Sequence, residues 1–154
     1  MGRLYARRLA SDGYRVAILD LNEAGLQETA QASSAISTFV CDISSESAVS
    51  TTFEQIANAM GAVDYLVHCA ALMPATAVVN ESPASVERLS KINYIGTINI
   101  IEAGVKPMVA RNSGTAVIFG SVAGDAIVPK ITAVPLFLAT IGLTPASIIL
   151  MVPI

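Results

Sequence analysis

Four short apolar runs, each of strand length and each with a polar or small residue at or next to its end, restrict the fold of this chain more than any other feature. They read YRVAILDL over residues 14–21, ISTFVCDI over 36–43, VDYLVHC over 63–69 and TAVIFG over 115–120, with Ser121 next. Runs that are apolar at almost every position suit strands buried on both faces, as in parallel sheets. Between them the pattern turns helical. Residues 2–10 (GRLYARRLA) carry apolar side chains at Leu4, Tyr5, Leu9 and Ala10, and Ser11-Asp12-Gly13 supplies a stop. Asn22-Glu23 opens a second helix to about Ala32, and Ser44-Ser45-Glu46 signals a third over 45–60, ended by Gly61. From Ser82-Pro83 a long helix runs to about Arg111, and Pro107 is expected to kink or shorten it. This alternation predicts a right-handed, doubly wound parallel α/β sheet covered on both faces.

A hydrophobic content of 53% in 154 residues allows one domain with a sizeable core. The net charge of −3, with no basic run longer than Arg7-Arg8, argues against a nucleic-acid footprint or an electrostatic membrane patch. Cys41 and Cys69 each close an apolar run in a chain without a cleavable signal sequence, so they are expected to be reduced, buried thiols of a cytoplasmic protein. With the single His68 they lack the close ligand spacing of a zinc site, and no metal is expected.

Beyond Asp125 the character changes, and residues 131–154 contain no charge. That length could cross a bilayer as a helix, but Pro135, Pro145 and Pro153 interrupt it. The expectation is a domain over residues 1–130 followed by an apolar, aberrant tail over 131–154, with a tail anchor as the alternative.

The functional candidates sit at the carboxyl ends of the strands, where open α/β sheets place ligands. Asp20 ends the first run about 20 residues after Gly2, the interval that separates a glycine fingerprint from its ribose-binding acid. Its carboxylate would accept ribose hydroxyls and repel a 2′-phosphate, which predicts NAD over NADP; alternatively it is a helix N-terminal charge without a ligand. Asp42 holds the same place on the next run and either meets an adenine amino group or caps the following helix. His68 reads as a satisfied strand-end side chain rather than a base.

Taken in order, Gly2, Asp20, Cys41-Asp42, residues 64–71, Asn93-Tyr94-Ile95-Gly96 and Ser121 resemble the short-chain dehydrogenase/reductase family over about residues 1–133. The resemblance implies a Rossmann-like α/β fold, incomplete here because its first and last strands are missing. It makes Met1-Gly2 the tail of a glycine-rich phosphate loop, Asp20 the ribose acid and Asp42 the adenine contact. His68-Cys69-Ala70-Ala71 stands in place of an Asn-Asn-Ala-Gly segment and matches it at Ala70. Asn93 becomes the asparagine that orders a proton-relay water, and Ser121 the serine that hydrogen-bonds a small alcohol or ketone substrate. Self-association through the long helix is implied as well.

Two departures bear on activity. The strand and most of the glycine loop that precede Gly2 in the family are absent, leaving a gap at the sheet centre that residues 147–152 are expected to fill. At the place of the family's Tyr-x-x-x-Lys stand Val134 and Leu138; no tyrosine follows Ser121, and Lys130 is the only later lysine. The leading expectation is an NAD-dependent alcohol/ketone oxidoreductase, shortened at both ends and impaired in hydride transfer, since acid–base assistance contributes about 10²–10⁴-fold. The alternative is a catalytically dead dinucleotide-fold protein acting as an interaction module.

Overall fold

The computed structural model describes residues 1–73, 80–119, 140–142 and 148–151. The elements run α1 (Gly2–Ser11), β1 (Val16–Asp20), α2 (Glu23–Ala30), β2 (Ile36–Val40), α3 (Glu46–Met60), β3 (Tyr65–His68), α4 (Pro83–Ser90), a π-helical turn (Lys91–Gly96), α5 (Thr97–Ala110), β4 (Thr115–Ile118), β5 (Thr140–Gly142) and β6 (Ile148–Met151). The expected alternation is present, with strands two or more residues shorter than the apolar runs that carry them. The caps lie where the sequence signals them: Asn22, Ser45 and Ser82 each accept a backbone N–H from the first turn of the helix they open.

One sheet contains all six strands in the order β2-β1-β6-β3-β4-β5, parallel throughout except for β4 against β5. Strand β6 occupies the gap expected at the centre. It places Leu150 beside Ile18 of β1 and Ile149 beside Leu66 of β3, so both inner strand edges have a partner. Without it, β1 and β3 would each present a row of unpaired N–H and C=O groups in the middle of the core.

The side-chain alternation of β1 shows why both faces must be covered. Ala17 and Leu19 point to one core, with Val49, Phe53, Ile56, Leu66, Ile100 and Met108 from β3 and the helices α3 and α5. Val16 and Ile18 point to the other, with Ala6 and Ala10 of α1 and Leu26 of α2. Period-two alternation sends neighbouring residues to opposite faces, so a strand buried on both needs apolar residues throughout. The long helix departs from expectation at two points. Pro107 does not shorten α5, which continues to Ala110. Instead the irregularity lies upstream, at the π-helical turn.

Helix α5 approaches the sheet closely at Gly104, where a β-carbon would sit 2.9 Å from Phe53 Cε1 and 3.2 Å from Leu66 Cδ2. Forcing extra volume into so tight a contact destabilises a core by about 1–3 kcal/mol. Gly104→Val is therefore expected to lower the urea midpoint of unfolding by that amount of stability, and an unchanged midpoint would refute the close packing of α5 on β3.

Candidate functional site

At the carboxyl ends of β1, β2 and β3 a cleft of about 170 Å³ opens between the strand-end loops and the helix that follows β3. Leu19, Asp20 and Leu21 come from β1 and its loop, and Cys41, Asp42 and Ile43 from the loop after β2. Ala70, Ala71 and Leu72 follow β3, and Arg88 and Ile92 come from α4 and the π-helical turn. The fold thus brings Asp20, Asp42 and Ala70, which are far apart in sequence, to one crevice. Gly2 is the buried first residue of α1 and is not among the lining residues. Ser121, Lys130, Val134 and Leu138 lie outside the described residues.

The two carboxylates differ in setting. Asp20 is half-buried, and desolvation pushes its pKa up, partly offset by backbone N–H groups of Asn22 and Leu21 that favour the charged form. The Asn22 N–H lies 2.9 Å from Oδ1. Asp42 is exposed, and its Oδ1 accepts from both the backbone N–H (2.9 Å) and the hydroxyl (2.7 Å) of Ser44. This local turn fixes the carboxylate, while Oδ2 has no partner among the described residues. Asp42 does not cap α3, because Ser45 does.

Asn93 does not line the cleft but holds one of its walls. Its Oδ1 accepts the Leu72 N–H at 2.8 Å, and its Nδ2 donates to the Leu72 carbonyl at 2.7 Å. The amide of a buried asparagine therefore acts like a short piece of antiparallel backbone, fixing the loop after Ala70-Ala71. The π-helical turn that presents Asn93 packs at Gly96 against Ile43, where a β-carbon would come within 2.8 Å of Cγ1. Only glycine allows that approach.

Behind Asn93 runs a connection that the sequence did not reveal. Thr97 Oγ1 donates to the Asn93 carbonyl at 2.7 Å and lies 2.9 Å from His68 Nε2. A hydroxyl has one proton, so with that proton given to Asn93 the His68 ring must donate through Nε2. His68 is buried at the end of β3, and desolvation drives its pKa down to about 4. The expected satisfied strand-end histidine is what the structure contains. The one available signal was a spacing: strand ends and helix starts converge on the same edge of the sheet.

Cys41 and Cys69 are free and buried, and burial raises both thiol pKa values, which keeps them protonated and unreactive. A larger groove of about 390 Å³ lies between α3 and α5 at the opposite, amino ends of the strands. Its arginine, Arg111, is already committed to the Val63 carbonyl and to Asp64. The smaller cleft is therefore the better functional candidate, since both strand-end carboxylates converge on it.

Residues 1–133 match the profile of the short chain dehydrogenase family. The chain belongs to that family. It is 30% identical over 124 residues to carbonyl reductase family member 4 of Xenopus laevis, a match that covers 80% of this chain and 52% of that protein. Similarity to 17-beta-hydroxysteroid dehydrogenase 13 of Mus musculus is 27% over 133 residues, covering 84% and 44% respectively. Among solved structures, NAD+-bound xylitol dehydrogenase superposes with a TM-score of 0.77 at 30% identity, covering 84% of this chain and 52% of the other. The chain thus spans about half the length of the relatives it matches. These relatives establish the Rossmann-like fold and an oxidoreductase family. No helix among the described residues is long and apolar enough to cross a membrane.

The His68 setting has a pH consequence. The unfolded chain binds a proton at His68 near pH 6.5 whereas the folded chain resists it until about pH 4, so stability is full above 6.5 and falls as pH drops through this window. Between pH 7 and pH 5 the loss from this one group is about 2 kcal/mol. Chemical denaturation at both pH values should show that difference shrinking by a similar amount in His68→Gln. An equal pH dependence in the two proteins would mean that His68 is not held neutral.

Proposed function

We propose that the cleft between Asp20, Asp42 and Ala70 binds the adenosine half of NAD, and that the chain is an alcohol/ketone oxidoreductase by descent with impaired turnover. The convergence of the two strand-end carboxylates on one cleft carries this reading. The donor set fits the group: Asp20 accepts the ribose hydroxyls, the free Oδ2 of Asp42 accepts from the adenine amino group, and the small Ala70-Ala71 segment leaves room for the ring. Asp20 disfavours a 2′-phosphate, which supports NAD over NADP.

Bound nicotinamide would supply hydride transfer to or from a small-molecule alcohol or ketone. On the protein side, Asn93 holds the Leu72 loop, and Gly2, the first residue of α1, would serve the pyrophosphate. In this proposal Ser121 orients the substrate oxygen. The chain has no Tyr-x-x-x-Lys after Ser121, so no residue there can move the proton as that pair does, which supports impaired catalysis. The same lack favours a second reading, a dinucleotide-binding module that acts through partners. Tyr94, Ile95 and Ile98 are exposed on the long helix and support self-association of the kind the resemblance implies. The free, buried thiols support a reducing, cytoplasmic setting.

Fluorescence titration of the chain tests the proposal. NADH is expected to bind and NADPH to bind more weakly. Loss of the Asp20 charge in Asp20→Asn should weaken NADH about tenfold or more, in line with about 1.5–3 kcal/mol for hydrogen bonds to a charged group. Absence of NADH binding, or binding indifferent to Asp20→Asn, would overturn it.

A further inference from the structure

Every lysine and arginine among the described residues has a carboxylate or carbonyl partner, with one exception. Arg3 pairs with Glu28, Arg8 with Asp12, Lys91 with Glu87, Lys106 with Glu102 and Arg111 with Asp64. Arg7 and Arg15 donate to the carbonyls of Glu28 and Met60. Arg88 pairs with nothing among the described residues. It is exposed on α4 and lines the cleft that contains Asp20 and Asp42.

The geometry points to Arg88 as a binding residue for the purine ring, its guanidinium lying over the face of the base while Asp42 meets the edge. This rests on the proposed adenosine site and adds the residue that would select a flat base within it. Three observations favour a neutral ring over an anion. The cleft walls beside Arg88 include Leu19, Ile43, Leu72 and Ile92, which suit an apolar face. Asp20 and Asp42 bring two formal negative charges against the single charge of Arg88, so the lining repels a phosphate on balance. And a planar, weakly hydrated guanidinium left without an ion-pair partner stacks well on an aromatic ring, where an ammonium does not.

Equilibrium binding of 5′-AMP, 2′,5′-ADP and ribose 5-phosphate to the full chain and to Arg88→Ala and Arg88→Lys separates the outcomes. Arg88 is exposed, so neither substitution disturbs the core. Arg88→Ala should weaken 5′-AMP about 3- to 10-fold, Arg88→Lys should recover little of that loss, and ribose 5-phosphate, which has no base, should bind all three proteins alike. Unchanged 5′-AMP binding in Arg88→Ala overturns the role of Arg88 while leaving the adenosine site standing. A loss seen for 2′,5′-ADP but not for 5′-AMP overturns it in favour of phosphate pairing. If the unsubstituted chain binds neither adenine nucleotide, the adenosine site itself fails and Arg88 with it.

Discussion

The pairing of β6 with β1 on one side and β3 on the other is the interaction on which the rest of the structure depends. Asp20 ends β1 and Ala70 follows β3, and these two strands touch only through β6. Their separation, and so the width of the cleft, is set by two strand spacings of about 4.8 Å each. A parallel sheet has no cheap way to leave such a gap open. Backbone groups in a buried edge cannot reach water, and each unsatisfied one costs about 1–3 kcal/mol. An apolar segment from the far end of the chain therefore closes the sheet that the neighbouring segments require.

The cleft is built by division of labour between strands and the long helix. Strands deliver acceptors at their carboxyl ends, where the polypeptide has just left the sheet and side chains can reach outward. The helix supplies what fixes and covers them. Asn93 uses both ends of its amide on the Leu72 backbone, and Thr97 and His68 tie the same turn to the end of β3. None of these polar groups is left to solvent, so the loop after Ala70 is held by hydrogen bonds within a buried setting, where they are strongest.

Much of this was legible in the sequence because the signals were local. The apolar runs gave the strands, and Asn22, Ser45 and Ser82 gave the helix starts, because a capping side chain acts on a backbone N–H only three residues away. Asp20 and Asp42 were recognisable from their positions at strand ends. The choice of residues 147–152 to fill the sheet followed from a single global demand, that a central gap be covered. What was not legible depends on three-dimensional meeting points. The π-helical turn at Lys91–Gly96 has no sequence marker of its own, whereas Pro107, which does, leaves α5 running on. The contact between His68 and Thr97 joins residues from different elements. Among the described residues, Arg88 is distinguished only by lacking the carboxylate or carbonyl partner that each other lysine and arginine there has. The role of Asp42 was open between capping and ligand contact; Ser45 takes the cap, and the Asp42 turn with Ser44 uses one carboxylate oxygen, the other having no partner among the described residues.

Backbone amide hydrogen exchange on the chain and on Leu150→Pro tests the central pairing most directly, because proline cannot donate to a ladder and is not tolerated in a central strand. In the unsubstituted chain, the β1 and β3 amides directed toward β6 should exchange slowly, like those in the pairing of β1 with β2. In Leu150→Pro those same amides should lose protection while the β1–β2 pairing keeps its own. Rapid exchange at the β6-facing amides of the unsubstituted chain, or protection unaffected by the proline, would contradict the account.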